Sequence, residues 1–570
     1  MLICGIKASH DAAVAVIEDN RLLFSIEIEK INNAHRYSSL GSLERVAEII
    51  RNEGIDPDDI DQFIVDGWWA EGGGDEPSVV TSAKSTTFHL PVAPYAENPQ
   101  SPAVLQRQHF DDYMFNGRGI GYASYHHTTG HVLGAYCTSP FAQKGEGALV
   151  VAWDGAVSPR LYWVDPKEYS VKPLGPLMWI SGNMFADFCS HFEPFYSPTY
   201  EDVDGRHDEA SLLNHLGIAG KAMAYAALGS VHHSTFSYFD AFFGSLQGVS
   251  RSDAFELGKR VVDERGGIFE GPSSRAGAFY GLTGADIVAS FQHYLGRLLC
   301  DRLTDFTTRN FSEQSVNLVM AGGCALNIKW NAMLRDSGLF SSIWTPPFPN
   351  DAGAAIGAAC SEMFTSRQSA ALTWDVYSGP SLTPEPVPVG WAAAACDERQ
   401  LARLLHEEGE PVVVLSGRAE LGPRALGNRS ILAPAVDPGM KTRLNEIKRR
   451  AGYRPVAPIC LAEESAEVFS PGGVDPYMLF EHTVRPEWRE RVPAIMHLDA
   501  TARLQTVDDT SSSRVTRILR EYHSLSGIPL LCNTSANRNG SGFFPDVASA
   551  ALWGRTAYIW SDGTLYSRSS

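Results

Sequence analysis

The sequence predicts an α/β protein with at least two domains, and three observations lead to this prediction. The chain has 570 residues, more than one hydrophobic core normally holds. Largely apolar segments at residues 148–153 and 316–321 end in glycine-containing turns, which is typical of buried strands that deliver a loop to a site. Residues 363–391 contain four prolines and no helical period, which indicates a boundary. We therefore predict domains at residues 1–365 and 391–570, joined by a linker at residues 366–390.

The individual elements follow from the spacing of apolar residues along the chain. Residues 2–7, 13–17 and 22–28 have the pattern of three strands, with a turn between the second and third. Residues 42–53 have the apolar spacing of a helix, and residues 61–66 have that of a further strand. For the second domain we predict a helix at 398–407, a strand at 412–415, a basic helix at 441–450 and a strand with a polar turn at 529–540. No internal repeat is visible in the sequence.

The composition favours a cytoplasmic protein that acts on small molecules. The chain has 66 acidic and 47 basic residues and a net charge of −19. A general nucleic-acid-binding protein would need a basic surface, so we expect no nucleic-acid partner, whereas a cationic substrate is compatible with this charge. We also expect no membrane partner and no secretion signal, because the sequence contains neither a long apolar run nor a basic start followed by one. The nine cysteines form no C-x-x-C pair, which is typical of reduced thiols.

Residues 416–431, SGRAELGPRALGNRSI, are a basic and glycine-rich segment in an acidic chain. Arg418, Arg424 and Arg429 offer planar sets of donors that match phosphate oxygens. The glycines among them allow backbone N–H groups to approach a ligand closely. We interpret this segment as part of a pocket for a phosphorylated small molecule, and the alternative is a solvated loop.

Two histidines and two aspartates are candidate metal ligands. If the segment SYHHTTGHVLGAY is helical, His127 and His131 lie on one face, as a metal-binding pair requires. Imidazole suits zinc, iron, copper or nickel. Asp351, which follows a proline-rich turn, is a candidate third ligand, although it could instead cap a helix. Asp154 follows a predicted strand and could hold a metal or phosphate-bound water, or merely close a turn.

Two further short motifs could serve a reaction. His10 and Asp11 directly follow the first strand, and a histidine beside an aspartate can act as a general base. A local turn hydrogen bond is the alternative interpretation. Gly322 and Gly323 form a turn between a strand and a helix, where backbone donors can hold a nucleotide. An ordinary tight turn is the alternative there.

The last third of the chain supplies more anion-binding side chains. Lys448 and Arg450 lie at the end of the predicted basic helix, where the helix dipole also favours cations. Arg503 adds a further guanidinium in a threonine-containing turn. Asn533 and Ser535 offer amide and hydroxyl groups suited to a phosphate or a carbonyl, and their alternative role is that of ordinary turn residues.

Taken together and in this order, the motifs resemble those of the O-carbamoyltransferase family. The matching segments are HDAAVAV, HHTTGH, AGGCALNIKWN, NDAGAAIGAA, GRAELGPRALGNRSI, YRPVAPI, DATARLQTV and NTSANRNG. The resemblance covers nearly the whole chain, and GPRALGNRSI together with the GGCALN segment is its most specific part.

The resemblance implies a fold and a reaction. It implies an actin-like ATPase domain at residues 1–365, similar to that of tRNA threonylcarbamoyl transferases, and a YrdC-like α/β domain at residues 391–570. The YrdC-like domain is expected to join carbamoyl phosphate to ATP and so form carbamoyl adenylate. The actin-like domain is expected to transfer the carbamoyl group to a hydroxyl of an acceptor. The expected cofactors are ATP with Mg(II) and a divalent metal, with Fe(II) as the expected ion.

The same resemblance implies roles for individual residues. His127, His131 and Asp351 match the metal ligands of the family, with Asp154 as a fourth group. Gly322, Gly323 and Asn327 match its nucleotide-binding turn. The residues that match the pocket for carbamoyl phosphate and ATP are Arg418, Lys448, Arg450, Arg503 and Ser535. His10, with Asp11 beside it, is the candidate acceptor base.

The acceptor is the least constrained part of the prediction. Asn33 stands where arginine is common in the family, and the resemblance therefore implies a different acceptor pocket. The acidic chain favours a polycationic acceptor, and we expect the 6″-hydroxyl of an aminoglycoside of the tobramycin or kanamycin type. The alternatives are tRNA threonylcarbamoylation, which the charge disfavours, and a non-catalytic nucleotide sensor on the actin-like fold.

Overall fold

The computed structural model describes the whole chain apart from residues 71–75, 99–102, 196–208, 244–256, 258–259, 262–277, 312–315, 385 and 569–570. The described strands form three larger sheets of six, five and eight strands and two small ones. The first two larger sheets come from the first two thirds of the chain, and the third comes from the remainder.

The first eight strands form the first sheet and a separate hairpin. They are β1 Leu2–Lys7, β2 Ala13–Glu18, β3 Arg21–Glu27, β4 Gln62–Asp66, β5 Ser78–Ala83, β6 Thr86–Pro91, β7 Gln108–Phe110 and β8 Tyr122–Tyr125. The sheet has the strand order β3-β2-β1-β4-β8-β7, and the hairpin consists of β5 and β6. Strands β1, β2 and β3 are consecutive antiparallel neighbours, whereas β1, β4 and β8 run parallel.

The second sheet repeats this arrangement. It consists of β9 Ala148–Ala152, β10 Arg160–Asp165, β11 Ser170–Pro176, β12 Asn317–Ala321 and β13 Ser342–Trp344. Its order is β11-β10-β9-β12-β13, which corresponds to β3-β2-β1-β4-β8 of the first sheet. As there, the first three strands are antiparallel neighbours and the last three run parallel. This duplicated arrangement is the one expected of the predicted actin-like fold. The duplication is seen in strand order and direction, whereas the sequence itself shows no internal repeat.

Two central helices pack against each other, and each one lies on the sheet that it does not follow in the chain. Helix His127–Cys137 follows β8 of the first sheet yet packs on β9 and β12 of the second. Helix Ala354–Arg367 follows β13 of the second sheet yet packs on β1, β2 and β4 of the first. The two helices touch so closely that a Cβ on Gly357 would lie 2.2 Å from the backbone oxygen of Gly130, so this crossing requires glycine.

The other α-helices described in full in this part of the chain are Glu44–Asn52, Pro140–Gln143, Gly182–Cys189, Glu209–Tyr225, Phe236–Phe243, Gly284–Asn310 and Ile328–Asp336. In the described part of the chain no helix is long and apolar enough to cross a membrane.

The third sheet contains eight strands in the order β14-β24-β23-β15-β16-β22-β17-β21. Helices Glu398–Glu408 and Val515–Ser526 pack against each other, and the latter packs on the sheet. The strands are β14 Trp391–Ala395, β15 Val412–Leu415, β16 Arg429–Ala433, β17 Ala457–Leu461, β21 Gln505–Val507, β22 Leu530–Ser535, β23 Tyr558–Ser561 and β24 Thr564–Arg568. A small sheet is formed by β18 Phe469–Ser470, β19 His482–Val484 and β20 Thr501–Ala502, and the remaining helices are Met440–Ile447, Ser465–Val468 and Val547–Trp553.

The segment between the second and third sheets is tied to both sides. Helix Ala354–Arg367 extends two residues into the predicted linker at 366–390. Strand β14 begins at Trp391, directly after the end of the linker. Within this segment Thr373 accepts a backbone hydrogen bond from Leu22, and Gly379 donates one to Ala419. The predicted linker is therefore fastened on both sides by backbone hydrogen bonds.

Candidate functional site

The first candidate site lies where strands of both sheets end and the two central helices begin. Its core, which we name the His/Asp cluster, consists of His127, His131, Asp154 and Asp351, all of them buried. Asp154 follows β9, the histidines lie on the first turns of one central helix, and Asp351 lies just before the other. Ligands commonly bind at the carboxyl ends of parallel strands, and this cluster occupies such an edge.

The geometry of the His/Asp cluster suits a metal ion. Asp351 Oδ1 lies 3.4 Å from the Nε2 atoms of both His127 and His131, and His131 Nε2 lies 3.9 Å from Asp154 Oδ1. Both Nε2 atoms are buried and have no hydrogen-bond partner among the described residues. Two imidazole nitrogens and two carboxylates are a donor set for a divalent transition metal, so the residues fit one.

Neighbouring groups fix the orientation of the cluster. The His127 Nδ1 atom lies 2.7 Å from Asp66 Oδ2, which leaves Nε2 directed at the cluster. Asp154 accepts hydrogen bonds from the Tyr95 hydroxyl at 2.6 Å and from the Gly323 backbone N–H at 2.7 Å. Carboxylate partners of this kind orient metal-binding histidines and raise their basicity.

A buried lysine links two of these carboxylates. Lys7 Nζ lies 2.9 Å from Asp66 Oδ2, 2.9 Å from Asp351 Oδ2 and 4.0 Å from the centre of the Trp68 ring. Burial lowers the pKa of Lys7, but the charges of Asp351 and Asp66 outweigh it, and the net effect raises that pKa. Burial likewise raises the pKa of Asp351, but the charges of Lys7 and the nearby histidines hold it well below its usual value. The two groups therefore stay charged.

His10 and Asp11, the predicted catalytic pair, lie next to the cluster. His10 Nδ1 is 3.0 Å from Asp11 Oδ2, which matches the local hydrogen bond of the alternative interpretation. His10 Nε2 is 3.6 Å from Asp351 Oδ2, so the pair also borders the cluster. Burial lowers the pKa of His10, and the charges of Asp351 and Asp11 more than offset this effect, so the pKa is raised.

The predicted nucleotide turn supports the cluster from the second sheet. Gly322 has φ +83°, and a Cβ there would lie 2.4 Å from the Trp153 backbone oxygen. Gly323 donates to Asp154, as described above. The Asn327 side-chain oxygen accepts from the backbone N–H groups of Lys329 and Trp330 and so caps helix Ile328–Asp336. Asn327 therefore has a capping role that sequence analysis did not assign, and Asp351, for which a cap was the alternative, makes no capping hydrogen bond in the described structure.

The second candidate site is a group of cations, which we name the basic cluster. Lys448 is buried and the arginines are half-buried. Burial and neighbouring arginine charges lower the pKa of Arg424 well below its usual value, and that of Arg503 to about 10. The Nε atoms of these two arginines are buried without a hydrogen-bond partner among the described residues. The members are Arg36, Arg424, Lys448, Arg450, Arg454 and Arg503.

The first part of the chain contributes one member of the basic cluster. The Arg36 backbone N–H donates to Gly540 O at 3.0 Å, and its guanidinium donates to Pro423 O at 3.1 Å. Lys30 Nζ donates to the backbone oxygens of Glu420 and Gly422. Residues 27–37 thus run along the arginine-rich segment.

The remaining predicted pocket residues mostly bond to the protein itself. Lys448 Nζ donates to the backbone oxygens of Ser535 and Asn537. Arg450 donates to the Asn445 side chain, Asn533 donates to Ala425 O and Gln505, and the Ser535 hydroxyl donates to Asn537. Lys448 and Arg450 belong to the basic cluster, whereas Asn533 and Ser535 belong to strand β22.

Two arginines of the glycine-rich segment have other partners. Arg418 pairs with Glu53 at 2.8 Å, and Arg429 donates to the backbone oxygens of Ser416, Asn428, Pro380 and Gly417. The buried Glu420 carboxylate accepts from the backbone N–H groups of Leu426, Asn428 and Arg429. Of the three arginines, Arg424 alone belongs to the basic cluster, because the other two fasten the loop.

Sequence analysis missed Lys7, Asp66, Tyr95 and Arg36 as contributors. The sequence could have revealed Lys7 and Asp66 as functional residues, because each is a charged residue at the end of a mainly apolar strand. Tyr95 and Arg36 carried none, because their positions depend on contacts between distant parts of the chain.

Comparisons with known proteins agree with the resemblance. The family described as "Carbamoyltransferase N-terminus" matches residues 2–77 and 118–360, and "Carbamoyltransferase C-terminus" matches residues 402–556. Nodulation protein U of Sinorhizobium fredii is 43% identical over 577 residues, covering 100% of both chains. The 3'-hydroxymethylcephem-O-carbamoyltransferase of Streptomyces clavuligerus is 31% identical, covering 95% of this chain and 94% of its own.

Among solved structures, the activator of the 2-hydroxyisocaproyl-CoA dehydratase from Clostridium difficile is 14% identical, with a TM-score of 0.32. It covers 65% of this chain and 97% of its own. The family matches extend over most of the chain and agree with the motifs on which the resemblance rests. The chain therefore belongs to the carbamoyltransferase family.

Proposed function

We propose that the protein is an ATP-dependent O-carbamoyltransferase with two reaction sites in one chain. The observation that carries the proposal is the presence in one chain of a buried His/Asp cluster and a separate basic cluster, which share no residue. In the first reaction carbamoyl phosphate, ATP and one water give carbamoyl adenylate, phosphate and pyrophosphate. In the second, an acceptor hydroxyl attacks the carbamoyl carbon and AMP leaves.

The basic cluster is the proposed site of adenylate formation in a YrdC-like pocket. The Nε atoms of Arg424 and Arg503 have no hydrogen-bond partner among the described residues, so they can donate to phosphate oxygens. Such charge-assisted hydrogen bonds are stronger than neutral ones. A bound anion would also offset the mutual repulsion that lowers the pKa of these arginines. We propose that Mg(II) enters with ATP, and that Arg450 and the positive charge of Lys448 help to hold the phosphates.

The His/Asp cluster is the proposed site of transfer. His127, His131, Asp154 and Asp351 would hold a divalent metal, proposed to be Fe(II). When bound, such an ion would polarise the carbamoyl carbonyl or hold the leaving phosphate. His10 Nε2 would take the proton of the acceptor hydroxyl, since its Nδ1 is engaged by Asp11. The Gly322–Gly323 turn would hold the adenylate beside the cluster.

We propose an aminoglycoside of the tobramycin or kanamycin type as the acceptor, modified at its 6″-hydroxyl. The net charge of −19 favours a polycation. Trp69 is 45% exposed and stacks on Tyr95, whose hydroxyl bonds Asp154. An exposed indole face suits a ligand ammonium group.

The test incubates the full chain with carbamoyl phosphate, ATP, Fe(II) and tobramycin or kanamycin. We expect pyrophosphate release, which a nucleotide sensor would not show, and an aminoglycoside heavier by one carbamoyl group in the mass spectrum. Pyrophosphate release without a heavier product would reject the aminoglycoside and keep the first reaction. No pyrophosphate release would reject the proposed function.

Replacing Trp69 with alanine should raise the KM for the aminoglycoside about 5- to 30-fold. The physical reason is the loss of a cation–π contact of about 1–2 kcal/mol. Pyrophosphate release should stay at the wild-type rate, because Trp69 lies on the side of the His/Asp cluster. The matched control is Tyr280→Ala, which removes another exposed aromatic ring, 63% exposed. An unchanged KM in the Trp69 variant would remove this residue from the acceptor site.

A further inference from the structure

Lys7 stands out among the charged residues because it is buried at the end of a central strand. Its side chain is 1% exposed, and its Nζ reaches two carboxylates at the same distance. One of them, Asp351, belongs to the His/Asp cluster. The other, Asp66, holds the Nδ1 atom of His127 at 2.7 Å. Lys7 thus contacts two proposed metal ligands, since its Nζ lies 2.9 Å from Asp351 Oδ2 and 3.5 Å from His127 Nδ1.

Burying an ammonium group is costly, so a permanent charge at this point calls for a reason. A neutral side chain would avoid that cost if orientation of Asp351 and Asp66 were all that was required, since hydrogen-bond donors such as amides can orient carboxylates. The distinctive property of Lys7 is its unit positive charge next to the place where a cation would sit.

We propose that Lys7 makes the His/Asp cluster selective for a divalent over a trivalent metal ion. The inference rests on the proposed metal site. Repulsion between Lys7 and a bound ion grows with the charge of the ion, so a trivalent ion is penalised by one charge unit more than a divalent ion. In this buried environment the difference is large, because the charges are poorly screened. For an iron-loaded site, Lys7 stabilises Fe(II) relative to Fe(III).

Asp66 acts in the opposite direction. Its carboxylate lies 2.7 Å from His127 Nδ1, and its negative charge favours the more highly charged ion. Lys7 and Asp66 form a buried ion pair beside the ligands, so the charge of Asp66 offsets part of the effect of Lys7. Removing either residue alone therefore shifts the preference, in opposite directions, and removing both shifts it less than removing Lys7 alone.

The test measures the midpoint potential of the iron-loaded full-length protein under anaerobic conditions at one pH. We expect Lys7→Met to favour Fe(III) at least tenfold, which lowers the potential of the one-electron couple by about 59 mV. We expect Asp66→Asn to raise the potential, since its amide can still bond His127. The double variant should return towards the wild-type value, which a purely structural role of Lys7 would not produce.

Metal-free portions of the same protein preparations are titrated with Co(II), whose absorption spectrum shows whether each variant is folded and retains the site. Potentials of Lys7→Met and Asp66→Asn that move in the same direction would overturn the inference. So would a shift in Lys7→Met of less than half the expected size. If Lys7→Met binds no Co(II), the Asp66→Asn variant decides alone, and a potential that does not rise overturns the inference. Wild-type protein that binds neither Co(II) nor iron would instead refute the proposed metal site itself.

Discussion

Replacing His127 with alanine should abolish carbamoyl transfer and leave pyrophosphate release at the wild-type rate. The variant removes an unpartnered Nε2 atom from the His/Asp cluster, while the basic cluster consists of other residues. Loss of a metal ligand should cost several kcal/mol of transition-state stabilisation, so we expect transfer to fall by about a thousandfold or more. The measurement compares carbamoylated product and pyrophosphate in the same reaction.

The matched control is His126→Ala. His126 precedes His127 and is also buried, but it does not belong to the His/Asp cluster. This variant therefore reports the cost of losing a buried imidazole at the start of the same helix. Transfer that persists in His127→Ala would contradict the metal assignment. Loss of both reactions in His127→Ala but not in His126→Ala would contradict the separation of the two sites.

Replacing Arg503 with glutamine should suppress pyrophosphate release without lowering the stability of the protein. A charge-assisted hydrogen bond to a phosphate contributes about 1.5–3 kcal/mol, so we expect a loss of roughly 10- to 100-fold in kcat/KM for carbamoyl phosphate or ATP. The same direction is expected for Arg424→Gln. The assay is pyrophosphate release at varied concentrations of each substrate.

The stability of this variant follows from the sign of the pKa shift. Burial and the charges of Arg454 and Arg450 lower the pKa of Arg503 to about 10 in the folded chain, below its usual value. A basic group with a lowered folded-state pKa opposes folding at pH 7, and this cost declines only as the pH rises from the folded-state pKa towards the higher pKa of the unfolded chain. Arg503→Gln should therefore have an unchanged or higher Tm at pH 7. Function is lost while stability is kept, as at binding sites in general.

Arg491→Gln serves as the control for the lost charge, because Arg491 is exposed in the same half of the chain. Arg418→Gln gives a second contrast, since Arg418 pairs with Glu53 and does not belong to the basic cluster. A drop in pyrophosphate release for Arg418 equal to that for Arg503 would show that the glycine-rich segment contacts the ligands over its whole length. A lower Tm for Arg503→Gln with normal kinetics would remove Arg503 from the pocket.

Much of the fold could be predicted because it depends on local patterns. The strand at 412–415 and the helix near 398–407 follow from apolar periodicity within a few residues, and the structure has them as Val412–Leu415 and Glu398–Glu408. The duplication of the first sheet in the second could not be predicted in this way. It is a relation between strand orders, and strands of the second sheet as far apart as β9 and β12 become neighbours only on folding.

The sequence by itself determined the residue types of both sites and the family, because imidazole, carboxylate and guanidinium groups stand in recognisable order along the chain. Only the tertiary structure decided which of them meet. It paired Arg418 with Glu53, directed Arg429 to backbone oxygens, and brought Arg36 to Arg424 and Lys7 to Asp351. The physical reason is that electrostatic partners are chosen by distance in space, and the chain sets that distance only when its sheets and helices have packed.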